Sequence, residues 1–211
     1  MISLNATMLE SFRLYLTGDW MSDADIIARL KREPSEPTPE MRTGTAFHDV
    51  VQGCGELVDG YSRIVHPSGV YLHNGRKFDA AGVEPVRMLL AGYEYEVSGE
   101  YRFGDTVIRC KADALSPAVA VEVKTTMKPS VDLGRYLESY QWRCYSLAFN
   151  VRAVMYVIVR LEERSGVHHV AGQDVVTAWE YDGMREDVER LAGELVAAAE
   201  RWGVADYLVR E

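Results

Sequence analysis

The chain has 211 residues, 47% hydrophobic and 26% charged, with a formal net charge of -9. That length fits one domain with a core of ordinary size; no run approaches the ~18 apolar residues of a membrane span, and the start lacks the basic and apolar regions of a secretory signal. Cys54, Cys110 and Cys144 are too few and too scattered for a disulfide scaffold or a four-cysteine iron–sulfur cluster, so a cytoplasmic setting is expected, and the acidic balance excludes coating nucleic acid by bulk positive charge but not a local basic groove.

Two short helices are predicted first. One has Leu9, Phe12 and Leu16 at helical spacing, the other Ile26, Ile27 and Leu30, with Ser22 placed to cap it. Arg32 to Glu40 hold three of the seven prolines and read as a linker. Residues 1–43 are thus read as a helical segment plus linker, and 44–205 as the main core. Phe47, Val50, Val51, Cys54 and Leu57 form one apolar stripe and predict a helix over 44–58. The glycine-dense stretch that follows gives no clear pattern.

From Tyr93 the periodicity changes to two. Strands are predicted over 93–101, 106–115 and 119–125, with a turn at Ser116-Pro117. A helix over 131–149 follows, then a strand over 153–161 that is apolar on both faces and therefore buried. A strand near 167–177 and a helix with Met184, Val188, Leu191, Leu195 and Trp202 inward complete the order. The fold class is α/β, a central mixed β-sheet flanked by helices.

Strand geometry puts Glu122 and Lys124 on one face, and Arg109, Lys111 and Asp113 on one face of the strand before it. A tight turn brings Asp113 close to Glu122, where two carboxylates and an ammonium could hold a hard divalent cation and a water. Taken alone, the same residues read as a solvated hairpin with routine ion pairs. Gln141 sits on the stripe of Leu133, Leu137, Cys144 and Ala148, with Tyr145 one turn on. A glutamine there needs partners that leucines do not provide: either a backbone group in the core or the carboxylates of a pocket. Gly44 and His48 lie one turn apart beside the first core stripe.

In order, Gly44-Thr45-Ala46-Phe47-His48, Asp113, Glu122-Val123-Lys124 and Gln141 to Tyr145 make a set that resembles the RecB-type branch of the PD-(D/E)XK nuclease superfamily. Within it the set is most similar to the nuclease domain of the exonuclease VIII (RecE) type, and more distantly to phage lambda exonuclease. The resemblance implies a restriction-endonuclease-like core over roughly residues 3 to 200. It departs from the superfamily pattern at Ala112, where proline is expected before the aspartate, a position that shapes a turn and supplies no ligand. It further implies that Asp113, Glu122, the Val123 carbonyl and His48 bind Mg²⁺ or Mn²⁺. Lys124 would orient or deprotonate the attacking water, and Gln141 and Tyr145 would position water, lysine or the scissile strand. A related branch carries a four-cysteine cluster, which three cysteines cannot form.

The activity implied is a metal-dependent exodeoxyribonuclease that digests one strand of linear duplex DNA from the 5′ end. The exposed 3′ strands would pass to a single-strand annealing recombinase. An endonuclease on the same fold and an inert DNA-end-binding module are the alternatives. Between 109 and 152 seven Lys and Arg face four Asp and Glu, a local +3 that leaves -12 elsewhere. This segregation nominates Arg109, Lys111, Lys128, Arg135 and Arg143 for DNA binding. With the resemblance, it also points to a homo-oligomeric ring, trimer or tetramer, around the duplex. Three weaker features are read as structural: Glu94 and Glu96 as a solvated edge, His168-His169 as surface histidines, and most Trp and Tyr as core or rim.

Overall fold

A computed structural model of the chain describes residues 1–18, 21–58 and 69–209; Trp20 and much of the glycine-dense stretch lie outside them. In chain order the elements are β1 (Ile2–Asn5), α1 (Ala6–Thr17), α2 (Asp23–Lys31), α3 (Pro39–Val51), β2 (Glu56–Val58), β3 (Val70–His73), β4 (Arg76–Asp79) and α4 (Ala80–Leu89). They continue with β5 (Glu94–Phe103), β6 (Thr106–Leu115), β7 (Val119–Thr126), α5 (Gly134–Glu138), α6 (Tyr140–Phe149), β8 (Ala153–Arg164), β9 (Val167–Trp179) and α7 (Met184–Arg201). One mixed sheet runs β1-β6-β7-β8-β9-β4-β3-β2, with β5 paired to the far side of β6.

The sheet has a core on each face. Leu9, Phe12, Trp142, Cys144, Val188 and Leu195 of α1, α6 and α7 cover one. Phe47, Val50, Val83 and Val86 of α3 and α4 cover the other, against Val121, Val123, Val157 and Val159. Side chains alternate across a strand, so a strand buried on both faces must be apolar throughout. Val157, Ile158 and Val159 of β8 are all fully buried.

Several expected boundaries change. Thr38 caps α3 and Pro39 occupies its first turn, where the missing N–H costs nothing, so the linker ends inside the helix. At the other end α3 stops at Val51, and Leu57 belongs to β2. β1 lies in the sheet, parallel to β6, and α1 packs in the main core, so the first residues are no appendage. The hairpin β3–β4 and α4 occupy ground where no pattern was expected. Ser22 does cap α2, in a capping box with Asp25.

The helix expected over 131–149 is two. Ser139 is extended (φ -62°, ψ 139°), and its Oγ accepts from the Gln141 N–H at 3.1 Å. Arg143 donates to the carbonyls of Glu138 (2.6 Å) and Ser139 (2.7 Å), and Trp142 Nε1 donates to Leu137 O at 2.9 Å. Side chains of the second helix thus satisfy the open carbonyl end of the first. Leu137, expected inside, is 43% exposed. His168 is buried instead of on the surface and packs on Phe78, with ring centroids 5.3 Å apart. Among the described residues no helix is long and apolar enough to cross a membrane.

Candidate active site

β6 and β7 pair at Ala114–Val121 and Leu115–Ala120 and then separate. β1 occupies the same edge of β6 lower down, up to Asn5–Arg109. Two strands approaching each other along one edge cannot both continue, so β7 leaves the ladder. Where it leaves, the Val123 N–H donates to Asp113 Oδ2 at 2.7 Å in place of a backbone acceptor. Ala112 packs in the α1/α6 core and Ala114 in the α3/α4 core. The alternation therefore breaks between Ala112 and Ala114, on either side of Asp113. Asp113 Oδ1 lies 3.5 Å from His48 Nδ1 of α3.

Glu122 is buried in this opening. Its Oε1 accepts from Gln141 Nε2 at 2.9 Å and from Lys124 Nζ, whereas its Oε2 is buried and has no hydrogen-bond partner among the described residues. Gln141 Nε2 also reaches the Tyr145 hydroxyl at 2.9 Å, and that hydroxyl donates to Lys111 O at 2.8 Å. Burial pushes the Glu122 carboxyl above its ordinary range; Lys124 pulls it down and Asp113 adds to the rise. Burial works against the Lys124 charge, but the Glu122 carboxylate outweighs it and holds the ammonium above its ordinary value. For Tyr145, burial and then Glu122 push the phenol up, so it stays protonated and able to donate. His48 is depressed by burial, yet the hydrogen bond and charge of Asp113 leave it raised overall.

The structure thus brings His48, Asp113, Glu122, Val123, Lys124, Gln141 and Tyr145 together. Gly44 lets α3 lie close to β7: a Cβ there would stand 2.6 Å from Thr125 Oγ1, so Thr125 or the helix would have to shift. Among the described residues no three His, Cys, Asp or Glu side chains are grouped closely enough to hold a metal by themselves. The oxygen donors nearby, the Asp113 and Glu122 carboxylates and the Val123 carbonyl, are hard and suit Mg²⁺ or Mn²⁺, and the His48 imidazole is a softer neighbour to them. The unpartnered, buried Glu122 Oε2 is the position such a cation would satisfy.

The basic candidates separate. Arg109 and Lys111 line an open cleft of about 660 Å³ with Asn5, Ala6, Thr7 and Tyr145. Asn5 and Thr7 also border a second cleft holding Arg29 and Arg32, and Met41 joins that one to a third holding His48 and Lys124. Lys128 and Arg135 are exposed beyond the end of β7. Arg143 is committed to the fold, stacked on Tyr140 and Trp142 with its guanidinium on the α5 carbonyls. Arg29 and Arg32 were not expected at these clefts, nor Glu10 at the start of α6. Glu10 Oε2 accepts from the Tyr140 N–H at 2.7 Å across 130 residues of sequence, a separation no local pattern reveals.

No protein-family profile and no curated protein matches the chain. Solved structures do. A crystal structure of LHK-Exo in complex with dAMP shares 13% identity at a TM-score of 0.53, covering 97% of this chain and 90% of that one. The alkaline exonuclease LHK-Exo from Laribacter hongkongensis, in a second structure, shares 11% at 0.51, covering 98% and 91%. SSO0001 shares 15% at 0.50, covering 94% and 77%. At such identities the likeness is one of fold, and the chain has the fold of the alkaline exonuclease: a mixed central sheet flanked by helices.

Proposed function

We propose that this chain is a Mg²⁺- or Mn²⁺-dependent exodeoxyribonuclease of the PD-(D/E)XK kind, hydrolysing one strand of linear duplex DNA from its 5′ end. The observation that carries the reading is the Glu122 carboxylate. It is buried, held on one oxygen by Lys124 and Gln141 and, among the described residues, unpartnered on the other, beside Asp113. A buried carboxylate oxygen left without a partner is costly, and a cation is its natural complement.

Asp113, Glu122, His48 and the Val123 carbonyl would hold the ion. Bound there, it would supply charge neutralisation at the phosphate and a more acidic water. Lys124, tied to Glu122, would hold a water for attack on phosphorus and offset the charge that develops there. Gln141 and Tyr145 fix Glu122 and the opening beside Lys111. The joined clefts, with Arg29, Arg32, Arg109 and Lys111, suit a strand led past Lys124 by its phosphates. The setting proposed is bacterial or phage cytoplasm. A trimeric or tetrameric ring would turn these clefts to the duplex, and the 3′ strands would pass to an annealing recombinase.

End-labelled linear duplex and a closed circle, each incubated with Mg²⁺ and with chelator, test the reading. Loss of the linear 5′ label with Mg²⁺ alone, and survival of the circle, is expected. Rapid cutting of relaxed circles would favour an endonuclease, and no cleavage of any substrate would leave an end-binding module.

A further inference from the structure

Glu96 stands opposite Asp113 in the paired strands β5 and β6, yet the ladder skips them. It pairs Val97 with Ala112 and Tyr95 with Ala114 and leaves Glu96 and Asp113 unpaired between. Glu96 is also left-handed, with φ 57°, at the third position of a ten-residue strand. A non-glycine residue adopts that conformation at a cost, and holds it only where its surroundings require it.

Its carboxylate shows what requires it. Oε1 accepts from Gln52 Nε2 at 2.8 Å, and Oε2 pairs with Lys111 Nζ. Gln52 caps the C-terminus of α3, and its backbone N–H donates to the carbonyl of His48 at 3.0 Å. Lys111 lies two residues before Asp113 and holds Tyr145 through its own carbonyl. One carboxylate therefore fastens the helix that presents His48 to the strand that presents Asp113. Gln52 and Tyr95 wall the cavity between those two side chains. A bond between exposed charges would be a weak reason for strain. Here the strained backbone also opens the ladder where the alternation of β6 breaks on either side of Asp113.

We infer that Glu96 is a positioning residue, a clasp between α3 and β6 that sets His48 against Asp113. The inference rests on the nuclease reading for its consequence, not for its geometry. Glu96 touches neither Lys124 nor Glu122 and acts through Gln52 and Lys111.

Two substitutions test it. Glu96→Gly removes the clasp and permits the left-handed backbone without strain, so thermal stability should hold or rise. The His48 imidazole resonances of the metal-free chain, at fixed pH, should shift. Mn²⁺ affinity by calorimetry and kcat on linear duplex should each fall at least tenfold, with KM for DNA little changed. Glu96→Gln, whose carbonyl can accept from Lys111 while its amide donates to the Oε1 of a flipped Gln52, should recover most of both. A Glu96→Gly chain with unmoved His48 resonances and parental Mn²⁺ affinity would overturn the inference, as would losses that only track a lowered melting temperature. If the parent itself binds no Mn²⁺ while Glu96→Gly still moves His48, the nuclease reading fails and the clasp stands.

Discussion

Gln141 donates its side-chain amide to Glu122 Oε1 at 2.9 Å, from a helix that begins only one residue earlier. The contact depends on the break at Ser139, because a continuous helix from 131 would carry Gln141 on a different axis. Glutamine supplies a donor that leaves the carboxylate charged, and it spans from Glu122 to Tyr145 in one side chain.

Replacing Gln141 with leucine should leave the fold intact, since the residue is only half-buried. The stability loss should stay near ~1 kcal/mol, the typical worth of such hydrogen bonds. Activity should fall at least tenfold, because the Glu122 carboxylate keeps Lys124 alone on Oε1. Melting curves beside single-turnover cleavage separate the two effects. An active but unstable variant would make the glutamine structural.

Lys124→Ala should slow cleavage by about 10³-fold, within the range for a group acting in proton transfer. About a third of the Lys124 side chain is open to solvent, so the truncation leaves a site that water can fill. DNA affinity should change little. Single-turnover rates near those of the parent would remove Lys124 from the mechanism.

Gly44→Ala forces a methyl group against Thr125 Oγ1. Overpacking of this kind costs about 1–3 kcal/mol, and here it moves α3, and His48 with it, away from β7. Thr125→Ala in the same chain should restore room and recover both stability and activity. The non-additivity of this double-mutant cycle is the measurement.

His48 in the metal-free chain carries a pKa raised above 6.5, despite burial, by its hydrogen bond to and the charge of Asp113. The folded state therefore binds this proton more tightly than the unfolded one. The contribution is fully present below 6.5 and is lost as pH rises through the folded value. His48→Gln should accordingly destabilise most at mildly acid pH, and the difference from the parent should vanish on the alkaline side. Melting temperatures measured against pH without metal give the sign.

Arg109 and Arg143 should part in behaviour. Arg109→Ala, at the open cleft, should weaken DNA binding and lower the salt slope by about one ion. Arg143→Ala should leave the slope unchanged and lower the melting temperature, because its partners are Glu138 O, Ser139 O and the rings of Tyr140 and Trp142.

By itself the sequence determined β6, β7 and the buried face of α7, because local periodicity reports which face of a strand or helix meets the core. It also marked Gln141 as a polar residue on an apolar stripe, whereas Asp113, Glu122 and Lys124 stood out only through their resemblance, in order with the other motifs, to a nuclease family. Only the tertiary structure decided how they meet. β1 arrives from the other end of the chain to share the edge of β6, and β7 must then leave the ladder, turning Asp113 toward Val123 and His48. The split at Ser139 was illegible for the same reason: it is held by Glu10 from α1, far away in sequence, and by Arg143, whose local pattern reads only as a charge on a helix. Glu96 read as a solvated edge because its left-handed backbone and its hold on Gln52 arise from packing between elements. Periodicity records burial within one segment, and the direction of a carboxylate is set by what a second segment brings to it.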